Sequence, residues 1–327
     1  MQRALCIVFA IALTAAALCA QPRLDLLNHN HPVVDAHNCY PYEGQWADRI
    51  DRALQAGFPV SIEQDIAWAN GQPVVSHTSK TRGDEPSLRD YFFERVRPIV
   101  EPALKRNDRS RWPLIILHFD FKTLDPQTLR AVWNLLGEYQ AWLTTAPQTG
   151  DPHQLAPLDV KPILAVTEDA DEQAAVFFDA LKPGERLRVF GSAHSARIDA
   201  SSREQRSHLL ATLPPEKLLT DPPTNYRRWW NNSWFAVEEG GATKAGDWTA
   251  ADDRRLRALV DHAHRLGYWI RFYTLDGFSD AENRGWDKGY NFGSREAAAI
   301  RWKAAAAAGV DFIATDQYED LAAIIKK

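Results

Sequence analysis

The feature that most constrains this chain is an alternation repeated eight times. Short apolar or β-branched runs fall at 32–37, 59–67, 113–121, 161–168, 186–193, 217–223, 268–275 and 310–316. Helical patterns such as "WADRIDRALQAG", "DPQTLRAVWNLLGEYQAWL" and "ADDRRLRALVDHAHRLG" lie between them, several closing on a glycine just past the last apolar position. No Gly/Ser-rich or Pro-rich linker interrupts the series. Strand and helix alternating in this way predict an α/β protein with a single parallel (β/α)8 barrel of the TIM type, with a doubly wound sheet as the main competitor. A composition of 45% hydrophobic and 25% charged residues supports one large core.

At the N-terminus, Arg3 leads an apolar run from Ala4 to Ala20, and polar sequence containing Pro22 follows. This pattern predicts a secretory signal peptide, 1–20, and a mature barrel domain, 21–327, in a secreted or periplasmic protein. An uncleaved anchor is the alternative. Leu18 ahead of Cys19 fits a lipoprotein cleavage motif poorly. Cleavage removes Cys6 and Cys19 and leaves Cys39 alone, so stability must come from the core and not from a disulfide. No later segment is apolar and long enough to cross a membrane. With a net charge of -5 and scattered basic residues, the chain has no cationic stripe for nucleic acid.

Barrel active sites form at the C-terminal ends of the strands, which makes polar residues late in a strand the first suspects. His37 ends the first run, Glu63 and Asp65 come late in the second, Asp120 in the third, and Glu168 closes the fourth. Asp316 ends the eighth, where a helix cap explains it equally well. Residues i and i+2 of a strand share a face, so Glu63 and Asp65 sit together and repel. A hard divalent cation, Mg2+ or Ca2+, offsets two such acids, as would a structural ion pair with Arg or Lys. Asn70-Gly71 is a tight-turn signal that folds Val74-Val75 back and returns His77 to the acidic pair. "HFDFK" adds His118, Asp120 and Lys122 on one face of the third strand. Arg271 and Tyr273 alternate on the seventh, where both can point into the mouth and contact substrate.

His37, "EQD" at 63–65, "NGQPVVSH" ending at His77, "DFK" at 120–122 and "AGVDFIATDQYEDL" near the C-terminus occur in an order that resembles the phospholipase C-like phosphodiesterase superfamily. Within it, the pattern is similar to the glycerophosphodiester phosphodiesterase group. The resemblance implies a divalent metal on Glu63, Asp65 and Asp120, His37 as general base, His77 as general acid, and Lys122 on the phosphate. It also implies a small-molecule or lipid phosphodiester as substrate, and Asn38 as a further metal or phosphate ligand. Two departures bear on the substrate. The family's "HRG" is replaced by His37-Asn38-Cys39, similar to the "HNDY" of one subgroup, so an arginine for phosphate is missing. Asp120 stands where many members carry Glu. A sphingomyelinase D-like phospholipase shares the same constellation.

"RRWWNNSWF" places Trp229, Trp230 and Trp234 in an expected loop, where they either grip a choline, lipid or sugar or pack beneath the loop. Asn231 is formally a glycosylation acceptor. His262 and His264 lie on different faces of a helix and are expected in solvent. A secreted glycoside hydrolase could also use paired carboxylates, but it leaves His37, His77 and Lys122 unexplained. A non-catalytic barrel needs none of these groups together.

Overall fold

Segments rich in Val, Ile and Phe form the strands, because branched and aromatic side chains pack well on a pleated surface. The structure is a computed structural model and describes residues 31–42, 47–282, 284 and 288–326; the expected signal segment 1–20 lies outside these described residues. The strands are β1 (Val33–Ala36), β2 (Val60–Ala69), β3 (Gln72–Val75), β4 (Ile115–Phe121), β5 (Ala146–Pro147) and β6 (Ile163–Thr167). They continue with β7 (Arg186–Leu187), β8 (Phe190–Ser192), β9 (Arg227–Ser233), β10 (Trp269–Tyr273) and β11 (Phe312–Thr315). In the main sheet β2, β4, β6, β8, β9, β10 and β11 follow one another in parallel, and β1 pairs with both β2 and β11. That double pairing closes the sheet into the expected (β/α)8 barrel. β3 adds to β2 as an antiparallel arm, and β5 with β7 forms a separate small ribbon.

One expected strand is wrong. Residues 217–223 hold the end of a short helix, Pro215–Leu218, and a turn, while the sixth barrel strand is β9. The tryptophan run expected to be a loop is therefore part of the barrel wall. The fifth strand is also shorter than 186–193, since Arg186–Leu187 belongs to the side ribbon.

The outward face of the barrel strands is apolar: Val60, Ile62, Ile66, Leu117 and Ile270 are fully buried. Each such side chain contributes roughly 1.5–3 kcal/mol on burial, which offsets the cost of the charged interior described below. The helices that cover this face have local start and stop signals. Thr249 and Asp252 form a capping box at the start of Ala250–Leu266, and Gly267 ends it in the left-handed region at φ 99. That helix holds both histidines expected in solvent. His262 is buried with Nε2 2.8 Å from the Leu219 carbonyl, and His264 Nε2 lies 2.8 Å from Asp311 Oδ2. Both faces of the helix touch protein there, one the end of the Pro215–Leu218 helix and the other the entry to β11.

Candidate active site

Register builds the site. Parallel partners stand side by side with their side chains on the same face, so Glu63 sits beside His118, Asp65 beside Asp120, and Arg271 beside Asn231. The lower layer is a closed ring of polar contacts. The Arg271 guanidinium donates to Asp35 Oδ2 at 2.5 Å, Glu63 Oε2 at 2.5 Å and Asn231 Oδ1 at 3.0 Å. Asn231 donates in turn to both oxygens of Glu168, at 2.9 and 3.0 Å. His118 completes the ring, with Nε2 2.7 Å from Glu168 Oε1 and Nδ1 3.4 Å from Glu63 Oε2. Burial and the Arg271 charge both disfavour an imidazolium at His118, but the Glu168 and Glu63 carboxylates outweigh them and push its pKa up to about 10. Burial would raise Glu63, yet the His37 and Arg271 charges hold it well below the usual carboxylate range.

The upper layer carries the second acid pair. Lys122 Nζ lies 2.9 Å from Asp65 Oδ2 and 2.7 Å from Asp120 Oδ2. Above it the hairpin turns at Asn70 and Gly71, both left-handed at φ 51 and 76, the geometry a two-residue turn with matching twist requires. Ala69 pairs with Gln72, Ile66 pairs with Val75, and the Ser76 amide donates to the Asp65 carbonyl at 2.9 Å. His77 thus arrives with Nδ1 2.8 Å from Asp65 Oδ2. The Tyr40 hydroxyl also lies 2.8 Å from this nitrogen and donates to Asn38 Oδ1 at 2.5 Å.

His37 is held from the other side. Its Nδ1 lies 3.0 Å from Asp316 Oδ1, and its Nε2 lies 3.9 Å from Glu63 Oε1. Arg49 locks this arrangement, donating to Asp316 Oδ2 at 3.0 Å and to the Asn38 carbonyl at 2.6 Å. Asp316 is therefore held low despite its burial. Burial alone would depress His37, but Glu63 and Asp316 hold its pKa up at about 9. Behind Asp316, Asp276 accepts from the Thr315 hydroxyl and the Asp316 amide, both at 2.7 Å. Burial and the Asp316 charge push Asp276 up to about 7. The rings of Tyr273 and Tyr290 lie 6.2 and 6.1 Å from the His37 imidazole.

These layers floor a cavity of about 410 Å3 at the C-terminal mouth of the barrel. His37, Asn38, Glu63, His77, Asp120 and Lys122 line it, as do Arg271 and Tyr273, so eight of the expected residues share one chamber; Asp65 lies beneath it. The Asn38 amide at the chamber wall is already engaged: Nδ2 donates to Asp316 at 3.0 Å and lies 2.8 Å from His37 Nδ1, and Oδ1 accepts from Tyr40. The left-handed backbone at Asn38, φ 52, turns the chain there. Trp229, Trp230 and Trp234 are buried and offer no loop platform. Trp229 stacks edge-on against His118 inside the barrel, while the indole of Trp230 donates to Ser195 at 3.0 Å on the outside. Asn231, the formal glycosylation acceptor, is committed inside the barrel to Glu168 and Arg271. The sequence reading missed Arg49, Tyr40, Asp276 and Tyr290. Asp276 left a signal, since it follows "RFYTL" at the end of the seventh strand.

One oxygen from each of Glu63, Asp65 and Asp120 lies within 4.8 Å of the others. Lys122 takes Asp65 Oδ2, whereas Oδ1 of the same carboxylate is buried without a hydrogen-bond partner. Hard oxygen donors with an unsatisfied buried lone pair fit Mg2+ or Ca2+. Two other groups of this kind, Asp35–Glu63–His118 and His37–Asp276–Asp316, already hold the guanidinium groups of Arg271 and Arg49.

No family model and no curated protein matches the chain. Among solved structures, it is similar to a glycerophosphoryl diester phosphodiesterase from Parabacteroides distasonis, at 13% identity over 92% of this chain and 90% of that one, with a TM-score of 0.43. It is also similar to an HPPK-DHPS of Plasmodium falciparum, at 8% identity over 90% of this chain and 46% of that one, with a TM-score of 0.41. At these scores neither neighbour's activity extends to this chain, whose chemistry is argued from its own residues.

Proposed function

We propose that this chain is a metal-dependent phosphodiesterase that cleaves a glycerophosphodiester or a phospholipid headgroup by histidine acid–base catalysis. One observation carries the reading. His37 and His77 open onto the same chamber, each with Nδ1 on a buried carboxylate, on either side of the Glu63, Asp65 and Asp120 oxygens. A carboxylate on Nδ1 holds the ring in place and leaves the opposite ring nitrogen for proton transfer. That is what a proton donor and a proton acceptor both need.

A divalent cation bound by Glu63, Asp65 and Asp120 would supply positive charge to the non-bridging phosphate oxygens. Lys122, at the rim of that triad, adds a second positive charge on the same side. In this reading His37, with Asp316 keeping its Nδ1 occupied, removes the proton from the attacking hydroxyl or water in its neutral form, which gains population as pH rises toward about 9. His77 gives a proton to the departing alkoxide and takes another from water afterwards, while His37 releases its proton to solvent. Arg271 and His118 neutralise Glu63 and Glu168 from below, so the floor keeps its shape as charge moves above it. Secretion through the 1–20 segment belongs to the same proposal.

The test is hydrolysis of bis(p-nitrophenyl) phosphate by the mature protein with Mg2+ or Ca2+, with EDTA, and in the His37→Ala and Glu63→Ala variants. Chelation should abolish turnover, and each substitution should lower it by about 10²- to 10⁴-fold while the fold is kept. Activity that survives chelation and both substitutions overturns the proposal, as does a wild type that cleaves no phosphodiester.

A further inference from the structure

A second cavity, also of about 410 Å3, opens among the segments that follow β8, β9 and β10. It therefore lies at the mouth end of the barrel, and its lining residue Gly289 directly precedes Tyr290 of the catalytic chamber. The two cavities differ in chemistry. The chamber is lined by acids and histidines, while the second cavity has Arg203, Arg206 and Lys244 on its rim and Leu210 and Phe235 on its wall. Glu204 is its one lining acid, so the lining carries a net charge of 3 - 1 = +2 in a chain whose net charge is -5.

Two features shape this space. The helix Arg203–Thr212 fully buries none of its residues, and Leu210, half-buried against the core, also lines the cavity. The loop opposite is fixed around Phe235: Gly240 donates to Ser207 Oγ at 3.0 Å, and a Cβ on Gly241 would lie 1.8 Å from the Phe235 ring. The ring is thus pinned against bare backbone, with left-handed turns at Gly240 and Gly241, φ 77 and 56. The side chains of Arg203, Arg206 and Lys244 have no hydrogen bond or ion pair among the described residues.

We propose that this cavity seats an anionic phospholipid of a bilayer surface, its headgroup on Arg203, Arg206 and Lys244 and the start of its chains on Leu210 and Phe235. The inference rests on the phosphodiesterase reading and adds to it. The barrel mouth is held against an anionic interface, and a membrane-borne substrate reaches the chamber past Tyr290. Three cations against one lining acid, Glu204, beside an apolar slot match that ligand, because the excess charge supplies long-range attraction and the slot supplies contact area.

The experiment is co-sedimentation of the mature His37→Ala protein with vesicles at fixed salt, so that binding is read without turnover. One set is pure phosphatidylcholine and the other is phosphatidylcholine mixed with phosphatidylglycerol as the anionic probe. Binding to the anionic set should exceed binding to the neutral set and fall roughly tenfold or more in Arg206→Glu/Lys244→Glu. Leu210→Asp should weaken binding with all three cations in place. Hydrolysis of bis(p-nitrophenyl) phosphate should be unchanged when Arg206→Glu/Lys244→Glu is made in the otherwise wild-type chain. Equal binding to both vesicle sets, or unchanged binding of the charge-reversed variant with its circular dichroism intact, overturns the proposal. Loss of all phosphodiesterase activity with vesicle binding intact would instead overturn the catalytic reading alone.

Discussion

Arg271 is the residue whose removal the interior should tolerate least. It is 2% exposed, and its partners Asp35 and Glu63 are 1% and 4% exposed, so these charges have almost no water to fall back on. Arg271→Met keeps most of the stem volume and deletes the charge. Two charge-assisted hydrogen bonds at 2.5 Å disappear, each worth about 1.5–3 kcal/mol, and two buried carboxylates lose their cation. Breaking a buried pair in this way costs about 3–5 kcal/mol, which corresponds to a fall in Tm of roughly 5–8 °C in a domain this large. Urea unfolding of the wild type and the variant measures it. The direction with pH is also set. Without Arg271 the burial of Glu63 is opposed by fewer positive charges, so its carboxyl holds a proton more tightly in the folded variant than in the folded wild type. The deficit should therefore be largest at pH 8 and shrink toward pH 5. Asp35→Asn placed on top of Arg271→Met should recover part of the loss. A single-variant deficit below about 1 kcal/mol, or one that does not change with pH, would refute the argument that Arg271 balances these acids.

Two further perturbations have signs that the structure sets. Asp276 titrates at about 7 in the fold against an ordinary 3.8, so its contribution to stability is present below about pH 4 and lost as pH rises through 7. Asp276→Asn keeps an oxygen for the Thr315 hydroxyl and the Asp316 amide. Its stability should match the wild type near pH 4 and exceed it above pH 7, by at most about 4 kcal/mol; urea midpoints that run parallel across this range would contradict the assignment. Gly191→Ala would place a Cβ 2.5 Å from the buried Tyr226 ring, and overpacking of this kind costs about 1–3 kcal/mol. Combining it with Tyr226→Leu should return part of that stability in thermal melts, and strict additivity of the two losses would argue against the contact.

Seven barrel strands were legible because their outward faces are apolar and their runs are bounded by turn residues. The sixth was not, for a reason rooted in what the barrel does. In β9 the inward positions include Asn231, which belongs to the polar ring, and the outward ones include Arg228, whose guanidinium is buried against the Asn225 and Ala156 carbonyls. Polar residues on both faces erase the period-2 signal, and the run reads as a tryptophan-rich loop. The neighbouring "KLLTDPP" imitates a strand by composition, but Pro214 and Pro215 start a helical turn ahead of it.

The same reasoning separates the legible part of the site from the hidden part. Glu63, Asp65, His77, Asp120 and Lys122 are close in sequence or tied by a recognisable turn, so period 2 and one Asn-Gly pair were enough to gather them. The residues that decide how His37 behaves come from the far end of the chain and from a helix: Asp316 is 279 positions away, and Arg49 reaches it from the first helix. Sequence spacing carries no information about such pairings, which depend on closure of β1 against β11. Closure also bears on Asn38, the position at which the glycerophosphodiesterase-like motif carries an arginine. With Arg49 already on Asp316 and on the Asn38 carbonyl, a short amide in the left-handed region can bond to Asp316 and Tyr40 together. An arginine side chain at 38 would bring a second guanidinium onto Asp316 and has no acceptor to offer the Tyr40 hydroxyl. Asn38 is in this way part of the support of both histidines, through Asp316 for His37 and through Tyr40 for His77.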